Sequence, residues 1–170
     1  MEGTEVYPIE INPRFQGSTQ MLIQLQIMNG EIPLAIAHVL SFLGGTAEKF
    51  AQDGWHHPNP VHGAQSILHN KQNARCRVQN RLDPGIYSIK CERVVFERPG
   101  LSSEDCKTED EFVVTCAVPR TGTVVDPEAP LLKIQTLGEA LDSEAKRLNV
   151  WAAKISEWAY ASLDLVDCVG

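Results

Sequence analysis

From about residue 63 onward the chain never holds one hydrophobic pattern for long, and this limits its fold more than any other feature. Residues 65–70, 75–79, 85–89, 93–97, 111–118 and 131–137 form short β-like runs. Turn chemistry separates them at Asp83-Pro84-Gly85, Arg98-Pro99-Gly100, Arg120-Thr121-Gly122 and Asp126-Pro127. The pattern then changes once more. Leu148, Trp151, Ala152, Ile155, Trp158, Ala159 and Leu163 recur at helical spacing, which predicts a helix over 148–163 with one face packed on a sheet. The expected class is α+β, with a strand-rich lobe at 63–170 closed by an amphipathic helix.

The front of the chain reads differently. Residues 6–12 predict a strand, and side chains alternate faces along a strand, so Glu10, Asn12 and Arg14 share one face while Ile9 and Ile11 take the other. Pro13 favours extended backbone at the residue before it. One carboxylate, one carboxamide and one guanidinium in a row suit a Mg²⁺–phosphate platform, because Mg²⁺ takes hard oxygen ligands and shares them with substrate phosphates. Glu2-Gly3-Thr4-Glu5 looks like a hairpin turn, whose other strand is expected upstream of Met1. Ser18 or Thr19 can cap a helix over 20–28 that Asn29-Gly30 ends. Pro33 suits the first turn of a second helix reaching about Leu43 and stopped by Gly44-Gly45. That helix is apolar on nearly all sides and is expected to be buried. Loop composition over 46–62, with Asp53-Gly54 and Pro58-Asn59-Pro60, marks a linker between the two parts.

The Glu10-x-Asn12-x-Arg14 motif resembles the metal-binding strand of ATP-grasp ligases. Phe15-Gln16-Gly17-Ser18-Thr19-Gln20 and Asn29-Gly30-Glu31-Ile32-Pro33-Leu34 resemble the link and helix that follow it. The resemblance is specific over 7–44. More loosely it reaches the C-terminal part of biotin-carboxylase-like members, and Leu82–Tyr87, Arg98-Pro99-Gly100, 118–125 and 130–135 resemble the C-terminal region of some bacterial ATP-grasp proteins. It implies that residues 1–45 are the end of a partial ATP-grasp half. Glu10 and Asn12 would then be metal ligands on the Mg²⁺ of bound ATP, Arg14 the catalytic anion clamp, and Gly17 and Ser18 backbone contacts to an anionic group. The implied reaction is ADP-forming activation of a carboxylate or bicarbonate as an acyl phosphate. A second acidic ligand, a lysine-bearing lid and an adenine pocket are not found, and Lys49, Lys71 and Lys90 have no glycine-rich loop beside them. The chain is therefore expected to be the C-terminal part of a ligase and inactive alone. The alternative is a non-catalytic module for self-association or protein interaction, since an orphaned sheet edge favours a homo-oligomer.

Bulk properties narrow the partners. Acidic residues number 22 against 15 basic ones, and a net charge of −7 offers no global field for nucleic acid or anionic membrane. No apolar run approaches the roughly 18 residues that span a bilayer, and a cytoplasmic protein is expected. Five cysteines without a Cys-x-x-Cys pair point to buried reduced thiols. His56, His57 and His62 offer zinc three nitrogens with no evident fourth ligand, and solvated or backbone-bonded loop histidines are the simpler reading. His38 reads as a core or interface histidine. Lys133 is similar in outline to the modified lysine of swinging-arm domains, but it lies in a predicted strand without the Met-Lys-Met flank. The acidic residues of 104–111 read as a solvated loop.

Overall fold

Five strands hydrogen-bond side by side in the order β1-β7-β5-β3-β4, all antiparallel, in a computed structural model that describes residues 18–43, 60–116 and 118–168. They are β1 (Gly63–His69), β3 (Gly85–Lys90), β4 (Arg93–Arg98), β5 (Glu111–Thr115) and β7 (Pro130–Leu137). A smaller sheet, in the order β6-β2-β8, comprises β2 (Cys76–Val78), β6 (Val124–Val125) and β8 (Leu165–Asp167). Helices α1 (Thr19–Met28) and α2 (Leu34–Phe42) precede the sheets, and α3 (Val150–Leu163) follows β7. The fold is α+β, as the sequence implies. The expected ligase site at residues 10–17 and most of the expected linker lie outside the described residues.

Register explains how the larger sheet acquires two buried faces. Leu68 lies opposite Leu132, Val114 opposite Ile134, and Tyr87 opposite Phe112, so all six share one face. That face is the main core, closed by Ile155, Ala159 and Leu163 of α3 with Trp151 and Trp158 packed alongside. Fully burying Ile155 or Leu163 contributes roughly 1.5–3 kcal/mol each. The opposite face carries Gln65, Gln135, Val113 and Ile86 in register. Ile86, Val113 and Cys106 form a second, smaller core there, with Leu137 against it.

Local chemistry sets the helix ends. Asn149 caps α3 by accepting from the Ala152 N–H at 2.8 Å, and Asp164 ends it in the left-handed region. The helix therefore starts two residues later than expected, and Leu148 is 42% exposed and paired with Leu141 instead. At the end of α1 the Glu31 N–H reaches the Gln26 carbonyl and the Gly30 N–H reaches that of Ile27. With Gly30 at φ +70°, this is the reciprocal glycine cap that Asn29-Gly30 predicts. The Gln26 side chain then accepts from the Leu34 N–H at 3.0 Å, replacing the cap that Pro33 has no side-chain acceptor to provide.

Two expectations are corrected here. Helix α2 is not buried: Leu34, Ile36, Val39 and Phe42 are 51–77% exposed. An all-round apolar helix needs a covering surface, but its own sequence cannot say whether the same fold supplies one. The cysteines are also mixed. Cys76 and Cys106 are buried, whereas Cys91 and Cys116 are exposed and all five are free.

The β3–β4 hairpin turns through Cys91 and Glu92 at φ 47° and 65°, a two-residue turn normally given to Asn-Gly. A left-handed L-residue costs about 1–2 kcal/mol, partly offset by the extra freedom glycine has when unfolded. Glu92→Gly is thus expected to raise stability by up to about 1 kcal/mol, measured by thermal melting. A lowered melting temperature would contradict this account of the turn.

Candidate functional site

The end of α1 is fastened to the strand lobe by one side chain. Asn29 accepts from the Val61 N–H through Oδ1 at 2.6 Å and donates from Nδ2 to the Val61 carbonyl at 3.2 Å. Met21 and Leu25 of α1 lie directly over Gly63, where an added Cβ would come within 2.6 and 3.0 Å of them. The Gly138 N–H then donates to the His62 carbonyl at 2.8 Å. Residues 60–62 are thereby held between the end of α1 and the end of β7.

Two adjoining clefts open around this segment. One, of about 550 Å³, is lined by Met28, Val61, His62, Lys107, Glu109 and Glu139 among others. The second, of about 420 Å³, shares His62 and Glu139 and extends to Leu141, Asp142 and Ser143. Both fall within the size range of small-molecule sites. Their charges are mixed, and Asp142 is already engaged, accepting from the backbone N–H groups of Lys146 and Arg147. His62 is exposed at the meeting point of the clefts, while His56 and His57 lie outside the described residues. No group of three or more potential metal ligands occurs among the described residues. The clefts can hold a small polar molecule.

Among the sequence-derived site residues, Glu10, Asn12, Arg14 and Gly17 lie outside the described residues, and Ser18 alone is placed. Ser18 precedes α1, is exposed, and makes no side-chain cap bond, so it is not the helix cap that its type suggests. Its carbonyl accepts from the Leu22 N–H. At 1.5 Å rise per residue, α1 holds Ser18 about 15 Å from Met28, which lines the larger cleft at the other end of the helix. Of the lysines considered for a lid, Lys49 lies outside the described residues and the other two are engaged elsewhere. Lys71 lies 4.3 Å from the centre of the Tyr160 ring, and Lys90 pairs with Glu97 at 2.6 Å. Lys133 lies in β7, half-buried, as a strand residue.

The strongest electrostatic feature is Arg98–Glu111; the acidic run places Glu111 in a solvated loop, whereas it is buried at the start of β5 and ion-paired. The guanidinium grips the carboxylate at 2.7 and 2.8 Å and also donates to the Asp105 carbonyl. The Lys107 N–H adds a further bond to Glu111 at 2.6 Å. Arg98 and then this amide hold the Glu111 carboxyl down at about 2. A depressed carboxyl stabilises the fold above its unfolded pKa of about 4.3 and loses that contribution as pH falls toward 2. Glu111→Gln is therefore expected to flatten the decline in stability between about pH 4.3 and 2, followed by urea unfolding. Identical pH profiles for the two proteins would contradict this role. Burial pushes the Cys106 thiol up to about 11 and raises that of Cys76, so both are poor nucleophiles at neutral pH.

No helix among the described residues is long and apolar enough to cross a membrane. No protein-family model, curated protein or solved structure matches the chain.

Proposed function

We propose that this chain carries the metal- and phosphate-binding end of an ATP-grasp carboxylate-ligase site, similar to the biotin carboxylase branch, and does not turn over ATP alone. The alternation of Glu10, Asn12 and Arg14 leading directly into α1 carries the reading. The anchoring of α1 supports it, because Asn29, Met21 and Leu25 fasten the helix that follows the motif to the strand lobe. Glu10 and Asn12 supply the hard oxygens that Mg²⁺ prefers. Arg14 supplies a planar, permanently charged fork for a phosphoryl or carboxylate group. The Ser18 hydroxyl, free of any cap bond, fits a contact to an anionic group near the helix start. Bound there, Mg²⁺ would supply charge neutralisation for a phosphoryl group in the complete ligase, and the share of Glu10, Asn12 and Arg14 would be to hold the metal and orient the anion for attack by a carboxylate or bicarbonate oxygen, with ADP leaving.

Calorimetric titration of Mg²⁺–ATP is the test. Binding is expected to be weak, with Kd near 1 mM or about −4 kcal/mol, because no adenine pocket or lysine lid accompanies the motif. It should require Mg²⁺ and vanish in Glu10→Ala. Submicromolar binding, or binding indifferent to Glu10→Ala, would overturn the reading.

The second reading, a non-catalytic self-association module, is favoured by one observation. Helix α2 displays its apolar residues to solvent, and contiguous exposed apolar surface on a soluble fold marks an interaction site.

A further inference from the structure

We propose that the two clefts around His62 form a binding site for a free basic amino acid, an inference independent of the ligase reading. The backbone of each wall is fixed by its own bonds. Asn29 clamps Val61, and the His62 carbonyl holds the Gly138 N–H. On a second wall the Lys107 N–H donates to Glu111 Oε2 at 2.6 Å, and the Glu111 N–H closes the turn onto the Thr108 carbonyl. On a third, past the end of β7, the Asn149 side chain donates to the Glu139 carbonyl at 2.6 Å and its N–H to the Ala140 carbonyl. A cavity ordered in this way loses little freedom when a ligand enters.

The charged ends that these walls carry are uncommitted. Lys107, Glu109 and Glu139 line the larger cleft, and none of them belongs to an ion pair among the described residues. Exposed charges are ordinarily just solvated, but these three surround a cavity that Met28, Val61 and Leu137 also line with half-buried apolar surface. Two carboxylates and one ammonium around an apolar floor complement a molecule with two cationic ends, one carboxylate and an aliphatic stem. A basic amino acid has that pattern. Its carboxylate pairs with Lys107 and its α-ammonium with Glu109, two residues along the same turn. A guanidinium then reaches Glu139, which lies where the clefts meet and can accept two parallel bonds. The stem covers the apolar floor. A neutral amino acid would leave one carboxylate unpaired, and an acidic one would bring like charges together.

Titration of ¹⁵N-labelled protein with L-arginine at constant ionic strength tests the site, with L-citrulline, agmatine and L-glutamate as comparisons. L-Arginine is expected to shift amides at 60–63, 107–109 and 138–143, with Kd on the order of 0.1–1 mM. L-Citrulline keeps the shape without the side-chain cation, and agmatine lacks the carboxylate, so each should bind about tenfold more weakly. L-Glutamate should not bind. Lys107 and Glu139 are exposed, so Lys107→Gln and Glu139→Gln should both melt with the parent. Glu139→Gln is expected to weaken L-arginine but not L-citrulline, and Lys107→Gln to weaken L-arginine but not agmatine. No shifts at about 10 mM L-arginine, or shifts scattered outside the three segments, would overturn the proposal. Equal affinity for L-arginine and L-citrulline, or L-arginine binding indifferent to either variant, would overturn it as well.

Discussion

Phe112→Ala is expected to cost about 3–5 kcal/mol of folding stability, a large share of what a domain of this size possesses. Phe112 is fully buried on the central strand β5. Its ring centre lies 5.8 Å from that of Tyr87, 5.7 Å from Trp158 and 6.2 Å from Trp151. It thus joins the sheet to α3, and truncation leaves a cavity whose walls are bulky rings on two different elements. Such walls relax poorly, so the cavity cost adds to the lost transfer free energy. Phe112→Leu keeps most of the apolar bulk but loses the ring contacts, and should cost less than the alanine variant. Urea unfolding of the three proteins measures the difference. A loss below about 1 kcal/mol for the alanine variant would mean that α3 does not close this face.

Gly85→Ala is expected to cost about 2–4 kcal/mol through backbone rather than side-chain loss. Gly85 begins β3 at φ +154°, in buried surroundings, and pairs with Val114. An added Cβ would fall 2.5 Å from Phe96 Cε2 and 2.8 Å from the Arg98 carbonyl oxygen. The Phe96 ring can turn away, but the carbonyl belongs to β4 where the strand carries an extra residue opposite Ile86 and Tyr87. Relief requires the β3–β4 ladder to separate. Gly122→Ala serves as the comparison, since Gly122 also has positive φ but nothing lies within 4 Å of its added Cβ. It should lose only the conformational part, about 1 kcal/mol. Equal losses at the two positions would contradict the steric argument.

Much of this architecture was legible because local chemistry and burial agree. The six short runs became β1, β2, β3, β4, β5 and β7 with shifts of a few residues, and Ile155, Ala159 and Leu163 fill the face that their spacing assigned to the sheet. Strands β6 and β8, at two and three residues, were not foreseen because hydrophobic pattern cannot declare elements that short. The Cys91-Glu92 turn was missed for another reason. It uses residues that ordinarily avoid positive φ, held there by the ladder on either side. At the site, Asn29 was legible as a helix stop but not as the clamp on Val61, which depends on a partner 32 residues away. Arg98 and Glu111 carry no spacing signal at all, since the sheet alone brings them together. The exposure of α2 was unreadable in principle, because its pattern suits either a core or an interface.

The segment leading into α1 is proposed to be a metal and phosphate platform. Substoichiometric Mn²⁺ added with ATP to ¹⁵N-labelled protein tests it most directly, since the paramagnetic ion broadens only the amides near it. The account predicts broadening at residues 10–18 that disappears in Glu10→Ala. Sharp signals there, with broadening gathered instead on the acidic run at 104–111, would contradict it.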